Sequence, residues 1–145
     1  MYFDQTFTKY KKGYFERNNL FQYICIDILK KYSLMKICYL ILAHNNFRHL
    51  DRLIDALDDA DSTFHIHLDK KTGQDYIPKK SNATIIPTSI DINWGGVSMV
   101  EATLALLEFG VQHSSDADYY ILLSGVDYPI RSKAFLHKLF EKRKE

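Results

Sequence analysis

From Lys36 to Ala43 the chain reads KICYLILA, a short and nearly unbroken apolar run. That is the pattern of a strand covered on both faces. The period then changes. Phe47, Leu50, Leu53, Ile54 and Leu57 recur at helical spacing with charges between them, which predicts an amphipathic helix. TFHIHLD (63–69) alternates and predicts a second strand. A polar loop with Gly73, Pro78 and Asn82 follows, then a third short strand, ATII (83–86). Ser98 with Glu101 has the form of a capping box, in which the hydroxyl takes the N3 amide and the carboxylate reaches back. The helix it opens should run to about Gln112. YYILLS (119–124) predicts a fourth, buried strand, and Ser132 caps a last helix. Strand–helix–strand alternation at this spacing predicts an α/β fold, a mostly parallel sheet with helices on both faces.

The first 34 residues break this order. MYFDQTFTKYKKGYFERNNL is aromatic and basic without a sustained period, and it leads into a predicted helix at about Leu20 to Tyr32. The domain is therefore expected over residues 35–145, with 1–34 as an N-terminal appendage.

Composition narrows the function classes. At 145 residues, 46% hydrophobic and 26% charged, the chain has room for one ordered domain. A net charge of +1 with no basic stripe gives no case for nucleic acid. Cys25 and Cys38 both sit in apolar runs and read as buried thiols. LFQYICIDIL (20–29) is broken by Gln22 and Asp27 and falls short of the about 20 apolar residues that span a bilayer. It also lacks a signal-peptide cleavage pattern. A cytoplasmic protein, at most peripheral to a membrane, is the expectation.

Candidate chemistry collects where the strands end, because ligands of such sheets sit beyond the carboxyl ends. Four polar clusters fall there: AHNN (43–46), HLDKK (67–71), NWGG (93–96) and SGVDYP (124–129). His65, His67 and Asp69 share one face of a strand and could present three metal ligands, the basis of an alternative reading as a metallohydrolase. Against it, Lys70 and Lys71 follow and would oppose a cation. The two histidines otherwise belong to a partly exposed strand face. Trp94 can stack on a base or sugar, or anchor the core. Gly95 and Gly96 can admit a diphosphate to the helix N-terminus, or only form the turn. Asp127 can hydrogen-bond a sugar hydroxyl, or close a local turn. His44 is a candidate base, while Asn45 or Asn46 reads as the next helix cap.

YLILAHNNFRHLDRLIDAL, FHIHLDKK, INWGGVSMVEATLALL and DYYILLSGVDYPIRS, in this order and spacing, resemble the core-2/I-branching enzymes of glycosyltransferase family 14. The resemblance covers about residues 36–140, and the pairing of WGG with LSGVDYPIR carries most of its specificity. It implies a Rossmann-like, GT-A-type nucleotide-sugar fold and an inverting transfer from a UDP-sugar. N-acetylglucosamine or xylose would pass to a glycan or peptide hydroxyl, with no metal and no other cofactor. It also implies that Ala43 and His44 meet the uridine, that Asp69 is the uridine-binding acid, and that Trp94 lies beside the nucleotide. Gly95 then belongs to the donor cleft, and Asp127 lies near the donor sugar and diphosphate. The family's catalytic glutamate and diphosphate-binding cations fall beyond Glu145, so the expectation is a donor-binding half without transferase activity of its own. An uncovered sheet edge would then favour self-association. A non-catalytic nucleotide- or glycan-binding module is the remaining alternative.

Overall fold

The computed structural model describes residues 35–141 other than Gln74 and Trp94. They belong to the compact unit Met35–Glu145. The helix expected at Leu20 to Tyr32, and Cys25 within it, lie outside the described residues. In chain order the elements are β1 (Ile37–Ala43), α1 (Phe47–Leu57), β2 (Ser62–Leu68), a single 3-10 turn (Lys70–Thr72), β3 (Ala83–Ile85), α2 (Val97–His113), β4 (Tyr119–Ser124) and α3 (Lys133–Glu141). The four strands form one sheet in the order β3-β2-β1-β4, and every pair is parallel. This is the Rossmann-like α/β arrangement that the sequence predicts.

Each face of β1 serves a different helix layer. Ile37, Tyr39 and Ile41 point to α1, whose Leu50, Leu53, Ile54 and Leu57 are buried against them and against Phe64 and Ile66 of β2. Tyr39 stacks on Phe64 with ring centroids 5.1 Å apart. On the same face α3 brings Phe140 onto Tyr119 of β4 at 4.5 Å. Cys38 and Leu40 point the other way, toward Leu106 of α2. Burial there pushes the Cys38 thiol up to about 11, so it remains protonated and behaves as a small hydrophobe.

The helix starts divide. Asn46 caps α1 as read from the sequence: it adopts φ 51° and its side chain accepts from the His49 amide. Ser132 likewise accepts from the Phe135 amide at the start of α3. The capping box at Ser98 and Glu101 does not form. Helix α2 starts two residues earlier, with Gly96 at the cap and no side-chain cap bond. The Ser98 hydroxyl instead accepts from the Asn93 amide at 2.8 Å, satisfying a loop N–H.

Two exposures also differ from expectation. Strand β4 is half-buried at the end of the described sheet, with Leu122 48% exposed. Helix α2 is apolar on its outer side too, where Val97, Val100, Leu104, Leu107 and Val111 are all exposed.

Strands β2 and β3 extend to one side of β1 and β4 lies on the other. The order reverses between β1 and β4, which opens a crevice beyond their carboxyl ends.

Candidate functional site at the strand ends

Three loops converge on that crevice, each tied to a strand end by backbone bonds. The Asp69 amide donates to the Ala43 carbonyl at 2.9 Å, joining the ends of β2 and β1. The Gly125 amide donates to the Leu42 carbonyl at 2.7 Å, joining β4 to β1. The Lys70 amide donates to the Ile90 carbonyl at 3.1 Å, which draws the segment after β3 back to β2. Thr72 adds a side-chain bond from Oγ1 to the His44 carbonyl.

Between them lies a cavity of about 260 Å³. Ala43, His44 and Asp69 line it, as do Leu42, Ile92 and Met99, and from β4 Leu122, Leu123 and Ser124. The structure therefore brings together three of the sequence candidates. Gly95 and Asp127 are not in this lining. Trp94 lies outside the described residues. A smaller cavity of about 150 Å³ opens at the opposite, amino end of β1, beside Lys36 and Asp116.

Asp69 has a divided role. Its Oδ1 accepts from the Lys71 amide at 2.9 Å and from the Ile92 amide at 3.4 Å, so this oxygen organises the two loops. Among the described residues no hydrogen bond reaches Oδ2. The residue is only 8% exposed and lines the cavity. A carboxylate oxygen so placed is an acceptor for an N–H or O–H of a ligand.

Asp127 closes a turn. Its Oδ2 accepts from the Ser124 amide at 2.8 Å while its own amide donates to the Ser124 carbonyl at 3.0 Å. His49 of α1 donates from Nε2 to the Asp127 carbonyl at 3.0 Å, and Arg52 lies over the Tyr128 ring. The β4–α3 loop is thereby pinned to α1. Gly95 has φ +74°, a left-handed conformation that favours glycine, so turn geometry accounts for it.

The histidine reading is corrected. His65 and His67 do share one strand face, but both are buried rather than partly exposed. The His65 Nε2 pairs with Ser114 Oγ at 2.9 Å, under α2, and its ring meets Phe109 edge-on. The His67 Nε2 accepts from the Ile90 amide at 3.0 Å, so its lone pair already serves the fold. Burial holds both imidazoles below their ordinary value. Among the described residues no group of three His, Cys, Asp or Glu side chains is placed to hold a metal ion. The metallohydrolase alternative loses its ligand set.

Sequence reasoning missed Ile92, Met99 and the β4 residues of the lining. Ser124 carried a signal, a hydroxyl ending an apolar strand at the switch point. Ile92 and Met99 carried none, since the path of residues 86–90 is set by contacts with β2.

Residues 37–145 match the family described as Core-2/I-Branching enzyme. The chain belongs to the core-2/I-branching enzyme family. Within this core-2/I-branching domain, the strand-end cavity lies inside the matched stretch. The chain is 27% identical over 120 residues to a xylosyltransferase of Ciona intestinalis, an alignment that takes in 77% of this chain and 14% of the relative. It is 30% identical over 118 residues to human xylosyltransferase 2, covering 72% of this chain and 13% of that protein. The core-2/I-branching chain thus spans about one-seventh of the length of these curated relatives. Among its described residues no helix is long and apolar enough to cross a membrane.

Proposed function

We propose that the cavity at the ends of β1, β2 and β4 receives the nucleotide of a UDP-sugar, in a glycosyltransferase that inverts configuration at the transferred sugar. The observation that carries this reading is Asp69, a cavity-lining carboxylate whose loop bonds engage Oδ1 alone, within a domain of this family. Asp69 accepts from uracil or ribose, Ala43 and His44 border the uridine, and Trp94 flanks it. Gly95 and Asp127 lie toward the diphosphate and donor sugar, with no metal between. The names of the relatives favour xylose over N-acetylglucosamine as the sugar. The acceptor is a glycan or peptide hydroxyl.

An inverting transfer also needs a base for the acceptor hydroxyl and positive charge for the departing UDP. Among the described residues lining the cavity, Asp69 is the single carboxylate and there is no lysine or arginine. Asp69 is engaged with the nucleotide in this reading and His44 borders the uridine, so neither described group of the lining is assigned to the base or to the departing UDP. Missing general-base catalysis alone lowers rates by about 10²–10⁴-fold.

Calorimetry with UDP tests the assignment, comparing the parent with Asp69→Asn. The amide keeps Oδ1 as the loop acceptor and turns the other position into a donor. A loss of about 1.5–3 kcal/mol in UDP binding is expected, the scale of a charge-assisted hydrogen bond. Equal affinity in the two proteins removes Asp69 from the site. UDP affinity that collapses in EDTA and returns with Mn²⁺ overturns the metal-free part.

A further inference from the structure

We infer that Lys71 is a positioning residue, which fixes one wall of the cavity by holding residues 91–93 against the carboxyl end of β2. The inference rests on the nucleotide reading for its effect on ligand affinity, but not for its structural basis.

Between the end of β3 at Ile85 and the start of α2 at Val97 the described chain has no regular secondary structure. Its course must be fixed by side chains and by bonds to other loops. Lys71 makes three of these contacts, one to each of residues 91–93. Its Nζ donates to the Ile92 carbonyl at 3.0 Å and to Asn93 Oδ1 at 2.8 Å, and pairs with Asp91 Oδ1 at 2.8 Å. An ammonium has three N–H donors, and these three acceptors occupy all of them. The charge is therefore spent within the protein. It is not aimed at a ligand.

The anchor works in both directions along the loop. The Lys71 amide bonds Asp69 Oδ1, the same oxygen that accepts from the Ile92 amide. Downstream, the Asn93 amide donates to Ser98 Oγ in the first turn of α2. Ile92 and Asp69 both line the cavity. Releasing Lys71 thus loosens the Ile92 wall, and with it the orientation of the Asp69 carboxylate. The Lys71 side chain is 50% exposed and Asp91 55%, so the ion pair itself adds little to global stability. What it sets is local order beside the ligand.

The test uses the whole chain and three readouts. Lys71→Met keeps the aliphatic stem and removes the donors. It should weaken UDP about tenfold, the equivalent of one charge-assisted bond, with an unchanged melting temperature. Lys71→Arg, which keeps a cation and its donors, should recover most of the affinity. Amide exchange over residues 90–93 should speed up in Lys71→Met in the absence of nucleotide, and the emission of Trp94, the one tryptophan of the chain and the residue next to Asn93, should shift. Parent-like UDP affinity or parent-like exchange in Lys71→Met overturns the inference. If the parent itself fails to bind UDP, the nucleotide reading falls. The exchange measurement then decides the anchor alone.

Discussion

Gly125 lies flush against Ala43: a Cβ built on Gly125 would stand 3.1 Å from the Ala43 Cβ and 3.2 Å from its Cα. The Gly125 amide bonds the neighbouring Leu42 carbonyl, so the two chain segments cannot separate cheaply. This contact closes the switch point between β1 and β4, directly behind the cavity. Gly125→Ala should destabilise the fold by about 1–2 kcal/mol through overpacking, and Gly125→Val by more. Urea denaturation midpoints measure it. Parent-like midpoints for both variants would show that β4 can move away from β1 at no cost.

Gly95 makes the opposite case. Nothing stands within 4 Å of a Cβ placed there, yet its φ is +74°. The penalty for a side chain is then backbone strain alone, about 1–2 kcal/mol for alanine. Asparagine, which tolerates the left-handed region, should cost less. Melting temperatures in the order Gly95, Asn, Ala check this, and a tie between Asn and Ala contradicts it.

Acid should weaken the fold through His65 and His67. Desolvation under α2 depresses both, with the charge of His113 adding to the effect at His65, while Asp69 partly offsets it at His67. In the unfolded chain the same groups titrate near 6.5. Between the depressed folded value and 6.5 the unfolded state binds more protons, so stability is full above that range and falls as pH drops through it. The limiting slope is about 1.4 kcal/mol per pH unit for each histidine. Urea midpoints measured from about pH 7.5 down to about pH 5 should decline in the parent and decline less in His65→Gln. A flat parent profile refutes the assignment.

The outer stripe of α2 should govern solubility rather than folding. Leu104 is 58% exposed and lies among Val97, Val100, Leu107 and Val111 on the side away from the sheet. Leu104→Glu should leave stability within about 0.5 kcal/mol of the parent, as surface changes do. It should also lower concentration-dependent light scattering, because contiguous apolar surface drives association. A large loss of stability would instead place Leu104 in the core.

The local pattern of the sequence determined the elements and the fold class. The apolar run of β1, the 3.6-residue period of α1 and the alternation of β2 each depend on which faces are covered, and that is written residue by residue. The resemblance of the motifs to the core-2/I-branching family was legible for the same reason, and so was the gathering of Ala43, His44 and Asp69 at strand ends. Partner choice was not legible. Ser98 stood ready to cap α2, but the Asn93 amide, five residues upstream and outside the helix, claimed its oxygen. His65 and His67 had the spacing of ligands, and only the placement of Ser114 and Ile90 decided that their Nε2 atoms would serve the fold. Lys71 read only as a charge opposing a cation beside Asp69, and its partners arrive with the loop after β3, across 21 residues of sequence. Hydrogen-bonding groups bond whatever the folded backbone brings within about 3 Å, and that proximity is a property of the tertiary path rather than of the neighbouring residues.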